Sequence, residues 1–146
     1  MQSFVGDLLD LRQLKYGVFS LVNEPFDVMT VIRNICAIFA PQALAKNITL
    51  QAFVQGNLVE KSDDSLFCLN QSEPVVSMVM GDERRFKQVM INLVRNALKF
   101  TSRGLIEIKT DYMGPVDKTL SVSVRDTGAG IAEDDISLLF TRFGKL

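Results

Sequence analysis

Five polar side chains between residues 85 and 99 have the types and spacing needed to hold a phosphorylated ligand. At about 100° per residue of a helix they fall within one wedge of roughly 80°: Arg85, Gln88, Asn92, Asn96 and Lys99. Amide oxygens are hard ligands for Mg²⁺, and a lysine ammonium pairs with phosphate oxygens. Asparagine is a poor helix former, so the pair one turn apart has no evident structural purpose. The wedge predicts either a site for a metal-bound polyphosphate or an ordinary solvated helix face.

A second candidate group lies in the run VRDTGAGI at 124–131, which follows an alternating strand. The carboxylate of Asp126 can accept a hydrogen bond from the exocyclic amine of adenine, whereas guanine presents a carbonyl at that position. Gly128 and Gly130 lack the side chains that would hold the backbone away from a base. Aspartate and glycine are also common in ordinary strand-to-helix turns. Taken alone, the run is weak support for an adenine site.

The apolar spacing predicts the elements that position these two groups. A helix capped by Asp82 runs to about Phe100, and we expect it to be largely buried because it is apolar around much of its circumference. Gly104 then opens two strands, 105–110 and 120–125, joined by a turn at 114–115. The remaining assignments are a helix over 1–16, a helix from Asp27 to Ala45 stopped near Asn47, a strand over 48–54, a loop or hairpin over 55–73, a strand over 75–80 and a helix over 133–143.

The composition of the 146 residues excludes several classes of function. With 47% hydrophobic residues and 23% charged ones, the chain fits one globular domain. Its net charge of −1 gives no electrostatic reason to bind nucleic acid or an anionic membrane. No apolar run approaches the roughly 20 residues of a membrane span. The two cysteines, Cys36 and Cys68, are expected to be reduced thiols, which fits a cytoplasmic chain.

The sequence contains no histidine. This absence excludes a Ser-His-Asp triad, a histidine general base and the common histidine-containing zinc sites within these residues. It also excludes a phosphate-accepting histidine from the chain.

Three ordered motifs resemble the catalytic ATP-binding domain of two-component histidine kinases. The asparagine box corresponds to NLVRNA at 92–97, the first glycine box to DTGAG at 126–130, and the aromatic box to Phe140 and Phe143. Upstream, residues 8–17 and 23–50 resemble the end of the second dimerisation helix and the opening helix and strand of that domain. The resemblance implies an α+β fold, a two-layer α/β sandwich of the kind shared by gyrase, chaperone and mismatch-repair ATPases.

By this resemblance, the ATP-binding residues are Asn92, Asn96, Lys99, Asp126, Gly128, Gly130 and Ile131. Asn96 and Asn92 would hold Mg²⁺ with the phosphates, and Phe140 and Phe143 would anchor a lid over the nucleotide by burial. Hydrolysing relatives carry a glutamate where Asn92 stands, and an amide cannot take a proton from water. The resemblance therefore implies phosphoryl transfer to a histidine rather than an ATPase motor.

The resemblance also implies an organisation and a set of partners. Residues 1–22 would be the end of the second dimerisation helix and a linker, and 23–146 a partial ATP-binding domain. The second glycine box and closing strands are expected beyond Leu146, so the domain would be C-terminally incomplete and the chain alone inactive, with no catalytic residue of its own. The expected partners are the phosphoacceptor helices of the same or a sister kinase and a response-regulator receiver domain.

Two alternatives stay open on the sequence. A degenerate, non-catalytic remnant could act as an interaction module through the N-terminal helix, whose apolar stripe would pair with a partner helix or with a second copy. The other alternative is a chain with no stable fold. On the kinase interpretation we expect a cytoplasmic location, including that of the cytosolic part of a membrane sensor.

Overall fold

A computed structural model describes residues 21–54, 57–61, 78–113 and 119–133. Within these ranges the chain forms two helices and six strands. Their order is β1 (Glu24–Asp27), α1 (Val28–Ala45), β2 (Ile48–Val54), β3 (Asn57–Lys61), β4 (Met78–Gly81), α2 (Glu83–Phe100), β5 (Gly104–Met113) and β6 (Thr119–Asp126). The predictions for 1–16, for the turn at 114–115, for Cys68 and for the helix beyond Glu133, which includes Phe140 and Phe143, lie outside the described residues.

The strands form a four-stranded sheet in the order β3-β2-β5-β6 and a two-stranded sheet of β1 and β4. β2 and β5 run parallel, and the other paired strands run antiparallel. A parallel pair needs a crossover connection, and this one contains α2. β3 makes a hairpin with β2, so the hairpin prediction for the segment after residue 54 is confirmed over 57–61.

The core lies between one face of the four-stranded sheet and the two helices. Alternate residues of β2 and β5 are buried on this face, namely Ile48, Leu50, Ala52, Ile106, Ile108 and Thr110. The opposite face is polar: Gln51 Nε2 donates to Glu107 Oε2 at 3.0 Å, and Lys109 Nζ lies 3.2 Å from Glu107 Oε1. Side chains alternate between faces along a strand, so one face is solvated and the other covered. The predicted two-layer α+β architecture is confirmed.

α1 begins and ends at the residues that the sequence predicts. Asp27 Oδ1 accepts a hydrogen bond of 3.1 Å from Met29 N at the helix start, and Asn47 adopts a left-handed φ of 54° just after its end. By length and composition α1 could cross a membrane. In this fold, however, its seven buried residues face the sheet and α2, so α1 is a core helix.

α2 is less buried than its apolar pattern predicts. Met90, Val94, Ala97 and Leu98 face the core, but a strip made of Val89, Leu93 and Phe100 is 57%, 42% and 52% exposed. A helix lying on a single sheet buries only the stripe that faces it. The exposed strip lies beside that stripe, between the core and the amide wedge. The expectation of a largely buried helix is therefore wrong.

Candidate functional site

The register of the sheet places Asp126 on the helix side. Asp126 is the last residue of β6 and pairs with Ile106 of β5, whose side chain is fully buried beneath the helices. Directly opposed residues of neighbouring strands point to the same face. The carboxylate therefore leaves the strand on the covered face of the sheet, at an end where it is still exposed to solvent.

One oxygen of the Asp126 carboxylate is held by two donors. Oδ1 accepts from the backbone N–H of Gly128 at 2.8 Å and from the hydroxyl of Thr101 at 3.4 Å. Among the described residues, no donor contacts the second oxygen, Oδ2. The carboxylate is thus oriented by the protein through one oxygen and can accept a hydrogen bond from a ligand through the other.

Thr101 is a site residue that the sequence interpretation missed. It follows α2 directly, is fully buried, and donates its backbone N–H to Ala97 O at 2.9 Å. Because its hydroxyl reaches Asp126, it joins the end of the amide-bearing helix to the end of β6. A buried hydroxyl at a helix end needs a partner, but the partner is 25 residues away in sequence and no local pattern identifies it.

The two glycines of the turn are needed for different reasons. A Cβ on Gly128 would lie 2.6 Å from the carbonyl oxygen of Phe100 and 2.8 Å from Asp126 Oδ1. Gly128 therefore lets the turn pack on the end of α2, a reason that the sequence did not indicate. Gly130 has a left-handed φ of 70°, and no atom of the described residues lies within 4 Å of the place where its Cβ would be. Ile131, the last of the residues predicted to bind ATP, is 49% exposed.

Thr127 fastens the same turn to the start of β5. Its hydroxyl accepts from Leu105 N at 3.0 Å, and its backbone N–H donates to Leu105 O at 3.1 Å. Gly104, with a φ of 125°, leaves the space that the Thr127 side chain occupies. The turn that carries Asp126 is therefore anchored on both sides, by Gly128 to α2 and by Thr127 to β5.

The structure separates the five residues of the amide wedge into two groups. Arg85 belongs to the helix cap: its Nε lies 3.3 Å from Asp82 Oδ2, and its backbone N–H donates to Asp82 Oδ1 at 3.0 Å. Gln88 is half-buried. Asn92 and Asn96 are exposed one turn apart, and Lys99 Nζ lies 4.8 Å from the centroid of the Phe100 ring. Only the C-terminal half of the wedge thus has side chains open to a ligand.

The rise of α2 orders these side chains relative to Asp126. At 1.5 Å per residue, Asn96 lies about 7.5 Å along the axis from Thr101, and Asn92 about 13.5 Å. Thr101 contacts Asp126. The carboxylate therefore lies beside the last turn of α2, and the amides follow from it in the order 96 and then 92.

The described residues contain no cluster of three histidine, cysteine or acidic side chains that could bind a metal ion. Two asparagine amides supply neutral oxygen ligands, which are too few for a divalent cation by themselves. The donor set fits Mg²⁺ only where phosphate oxygens complete the coordination. The metal prediction therefore depends on a phosphorylated ligand.

A cavity of about 620 Å³ lies away from these residues. It is enclosed by β1, β4, the start of α2 and the start of β6, with Phe26, Phe86, Leu120 and Val122 among its walls. Among the described residues that line it, the one charged side chain is Asp82, which already caps α2. The other described residues of its lining offer no side chain that would pair with a phosphate, so the candidate site remains at the Asp126 end of the sheet.

Comparison with known proteins identifies the family of the domain that contains α2, β5 and β6. Residues 81–145 match the family described as histidine kinase-, DNA gyrase B-, and HSP90-like ATPase. The chain is 35% identical to the hybrid signal transduction protein dokA of Dictyostelium discoideum over 146 residues. That alignment covers 99% of this chain and 8% of the relative.

Two solved structures share the fold. The histidine kinase AdeS of Acinetobacter baumannii has a TM-score of 0.65 at 22% identity, over 90% of this chain and 55% of that one. Full-length ShkA, solved in complex with AMPPNP, has a TM-score of 0.66 at 26% identity, over 90% of this chain and 24% of that one. The family match includes α2, β5 and β6, which carry the candidate site. The likeness to the hybrid signal transduction protein dokA spans nearly every residue of the chain. Residues 81–145 therefore carry the domain of the histidine kinase-, DNA gyrase B- and HSP90-like ATPases, and nearly the whole chain is similar to a segment of a hybrid signal transduction protein.

Proposed function

We propose that this chain binds ATP with Mg²⁺ and presents the γ-phosphate to a histidine located outside it. The observation that carries this proposal is the orientation of Asp126. One carboxylate oxygen is held by Thr101 and Gly128, and the other is left for a ligand beside the helix that carries Asn92 and Asn96. The chain would then be the nucleotide-binding part of a sensor or hybrid kinase.

Asp126 would recognise the base. Its Oδ2 can accept a hydrogen bond from the exocyclic amine of adenine, while the carbonyl of guanine or hypoxanthine at that position would face a carboxylate without a proton between them. An unpaired polar contact of this kind is strongly disfavoured once water is excluded. The open space beside Gly130 would allow the base to approach the backbone, with Ile131 at its edge.

Asn92, Asn96 and Lys99 would hold the phosphates and the metal ion. Mg²⁺, when bound, screens the charge of the phosphate oxygens, and the amide oxygens complete its ligand set. Lys99 rests over the Phe100 ring at an exposed position. Such a cation–π contact contributes only about 0.5–1 kcal/mol, so a phosphate can draw the ammonium away at small cost.

The phosphoryl acceptor would be a histidine of another segment or another chain, because this sequence contains none. Histidine is already a nucleophile, so the transfer needs no strong base at position 92, where an amide stands. We infer that the acceptor is on the dimerisation helices of the same or a sister kinase. Phe140 and Phe143 would anchor a lid over the nucleotide.

The names of the relatives support a role in signal transduction with a bound adenine nucleotide. dokA is named as a hybrid signal transduction protein, and ShkA was solved with AMPPNP. By this similarity, residues 1–22 would connect the dimerisation helices to the ATP-binding domain formed by 23–146. The helix predicted over 1–16 could also pair two copies of the chain. A receiver domain would take the phosphoryl group afterwards, in the cytoplasm. Because the chain spans 8% of dokA, these partners belong to the proposal.

Isothermal titration of the 146-residue chain with MgATP tests the nucleotide site. Asp126→Asn should weaken ATP binding by about tenfold, because it replaces a charged acceptor at the base with an amide. Asp111→Asn, an exposed position on the opposite face of the sheet, is the matched control and should bind as the wild type does. Equal affinity in all three proteins would remove the adenine assignment and favour an interaction module.

A second measurement separates binding from transfer. Incubation with γ-labelled ATP should leave the chain unlabelled, because it lacks an acceptor histidine. An acid-labile phosphate on the chain itself would contradict the proposal.

A further inference from the structure

A lysine from the end of α1 caps the end of α2. The ammonium of Lys46 donates to the carbonyl oxygen of Leu98 at 2.6 Å and to that of Thr101 at 3.5 Å. The last carbonyls of a helix have no partners within it and carry the negative end of the helix dipole. Lys46 therefore satisfies carbonyls that would otherwise need water, and places a positive charge where the dipole favours one.

The segment held by Lys46 is the segment that orients Asp126. Thr101 offers its carbonyl to Lys46 and its hydroxyl to Asp126 Oδ1. The carbonyl of Phe100, one residue earlier, lies against Gly128. A displacement of the last turn of α2 would thus move the hydroxyl that holds the carboxylate and the surface on which the glycine turn rests.

We propose that Lys46 is a positioning residue for adenine recognition, which keeps the end of α2 where the Thr101 hydroxyl turns Asp126 towards the amine of the base. This inference rests on the proposed function of Asp126. Lys46 itself does not touch the base; it acts through the end of α2 and Thr101.

Loss of Lys46 should affect base recognition and not the fold as a whole, because the capped carbonyls lie at a partly exposed helix end. Without the ammonium they can accept hydrogen bonds from water, so the fold should persist. The Thr101 hydroxyl would be less well placed, and the carboxylate would rotate more freely. Loss of Lys46 should therefore reduce the preference for a 6-amino purine more than it reduces the affinity for phosphates.

The test compares binding of MgATP and MgITP, which differ at position 6 of the base, to the full chain and three variants. Lys46→Met should lower the ratio of ATP to ITP affinity by about fivefold, roughly the effect of one weakened hydrogen bond to a charged group. ITP affinity should stay within about twofold of the wild type, because the phosphate contacts are unchanged. Lys46→Arg, which keeps a donor cation, should retain the ratio.

Lys109→Met is the matched control. Lys109 lies on the outer face of the sheet, where its ammonium meets Glu107, and its removal should leave the ratio unchanged. If Lys46→Met weakens both nucleotides equally, Lys46 has only a structural role and the inference is overturned. An unchanged ratio overturns it as well.

Further variants keep the test decisive. If Lys46→Met shows no cooperative unfolding, two other variants replace it: Lys46→Gln and Thr101→Val each interrupt the contacts from Lys46 through Thr101 to Asp126. An unchanged ratio of ATP to ITP affinity in both variants overturns the inference. A wild-type chain without a preference for ATP over ITP would instead overturn the proposed function. A preference that is lost in Asp126→Asn but kept in Lys46→Met and Thr101→Val would overturn the positioning role alone.

Discussion

The hydroxyl of Thr101 donates to Oδ1 of Asp126 at 3.4 Å, from the first residue after α2 to the last residue of β6. This contact joins the two sequence motifs of the site, since α2 carries the asparagines and β6 leads into the glycine turn. It also leaves Oδ2 as the oxygen that can meet a base. The predictions below test the parts of this arrangement separately.

Gly128→Ala should destabilise the chain and weaken ATP binding. The new Cβ would approach the Phe100 carbonyl to 2.6 Å, and such overpacking against backbone costs about 1–3 kcal/mol. Urea unfolding measures the stability, and titration measures the affinity. Ala129→Ser, at the exposed neighbouring position, is the control. A Gly128→Ala chain with wild-type stability would show that the turn does not rest on α2.

Asn96→Ala should weaken MgATP binding by about tenfold and leave adenosine binding unchanged. The amide would contact the metal–phosphate unit and not the base, and one lost interaction with a charged group is of that size. Chelation of Mg²⁺ with EDTA should weaken ATP binding to the wild type and have less effect on the variant. Arg95→Ala, at the exposed adjacent position, serves as the control. A parallel loss of adenosine binding would place Asn96 near the base and contradict the assignment.

Val89→Ala should change the free energy of unfolding by no more than about 0.5 kcal/mol, because Val89 is 57% exposed on α2. The same substitution at Val94, which is fully buried, should cost about 2 kcal/mol through lost contacts and a cavity. Urea unfolding of the two variants provides the comparison. Similar losses in both would mean that the strip of Val89, Leu93 and Phe100 is covered.

Asp82 should make stability depend on acid pH. Hydrogen bonding to the backbone N–H of Arg85 lowers the pKa of Asp82 below its ordinary value of 3.8, assisted by the N–H of Val22 and the Arg85 charge. A lowered pKa in the folded state means that this stabilisation is complete above 3.8 and is lost as the pH falls through the folded-state pKa.

Asp82→Asn keeps a capping side chain and removes the titration. Relative to the wild type, it should be less stable near neutral pH, and the difference should shrink as the pH falls through the range in which Asp82 is protonated. Urea unfolding at a series of pH values measures this. Glu107, whose pKa is lowered by Lys109 and then by Gln51, is a second source of acid sensitivity, so Glu107→Gln provides the comparison. A constant difference between Asp82→Asn and wild type at all pH values would refute the assignment.

Local sequence determined the elements and the chemistry-bearing residues. Asp27 and Asp82 start the two helices, and Asn47 follows the first at a positive φ. These features depend on caps and periodicities within a few residues, so they can be read without a fold. The asparagines of α2 and the DTGAG turn were likewise recognisable from type and spacing.

Only the tertiary structure decided how these parts meet. The sheet register that sets Asp126 opposite Ile106, the Thr101 contact across 25 residues and the Lys46 cap across 52 residues all join segments that are distant in sequence. The exposed strip of α2 was also mispredicted, because an apolar pattern states which residues could be buried and not which neighbours cover them. The sequence by itself specified the groups that could bind a nucleotide. The packing of the end of α2 against the end of β6 decided which oxygen of Asp126 can accept a hydrogen bond from a base. Only the folded structure could decide this, because hydrogen bonds between distant segments form only when the fold brings those segments together.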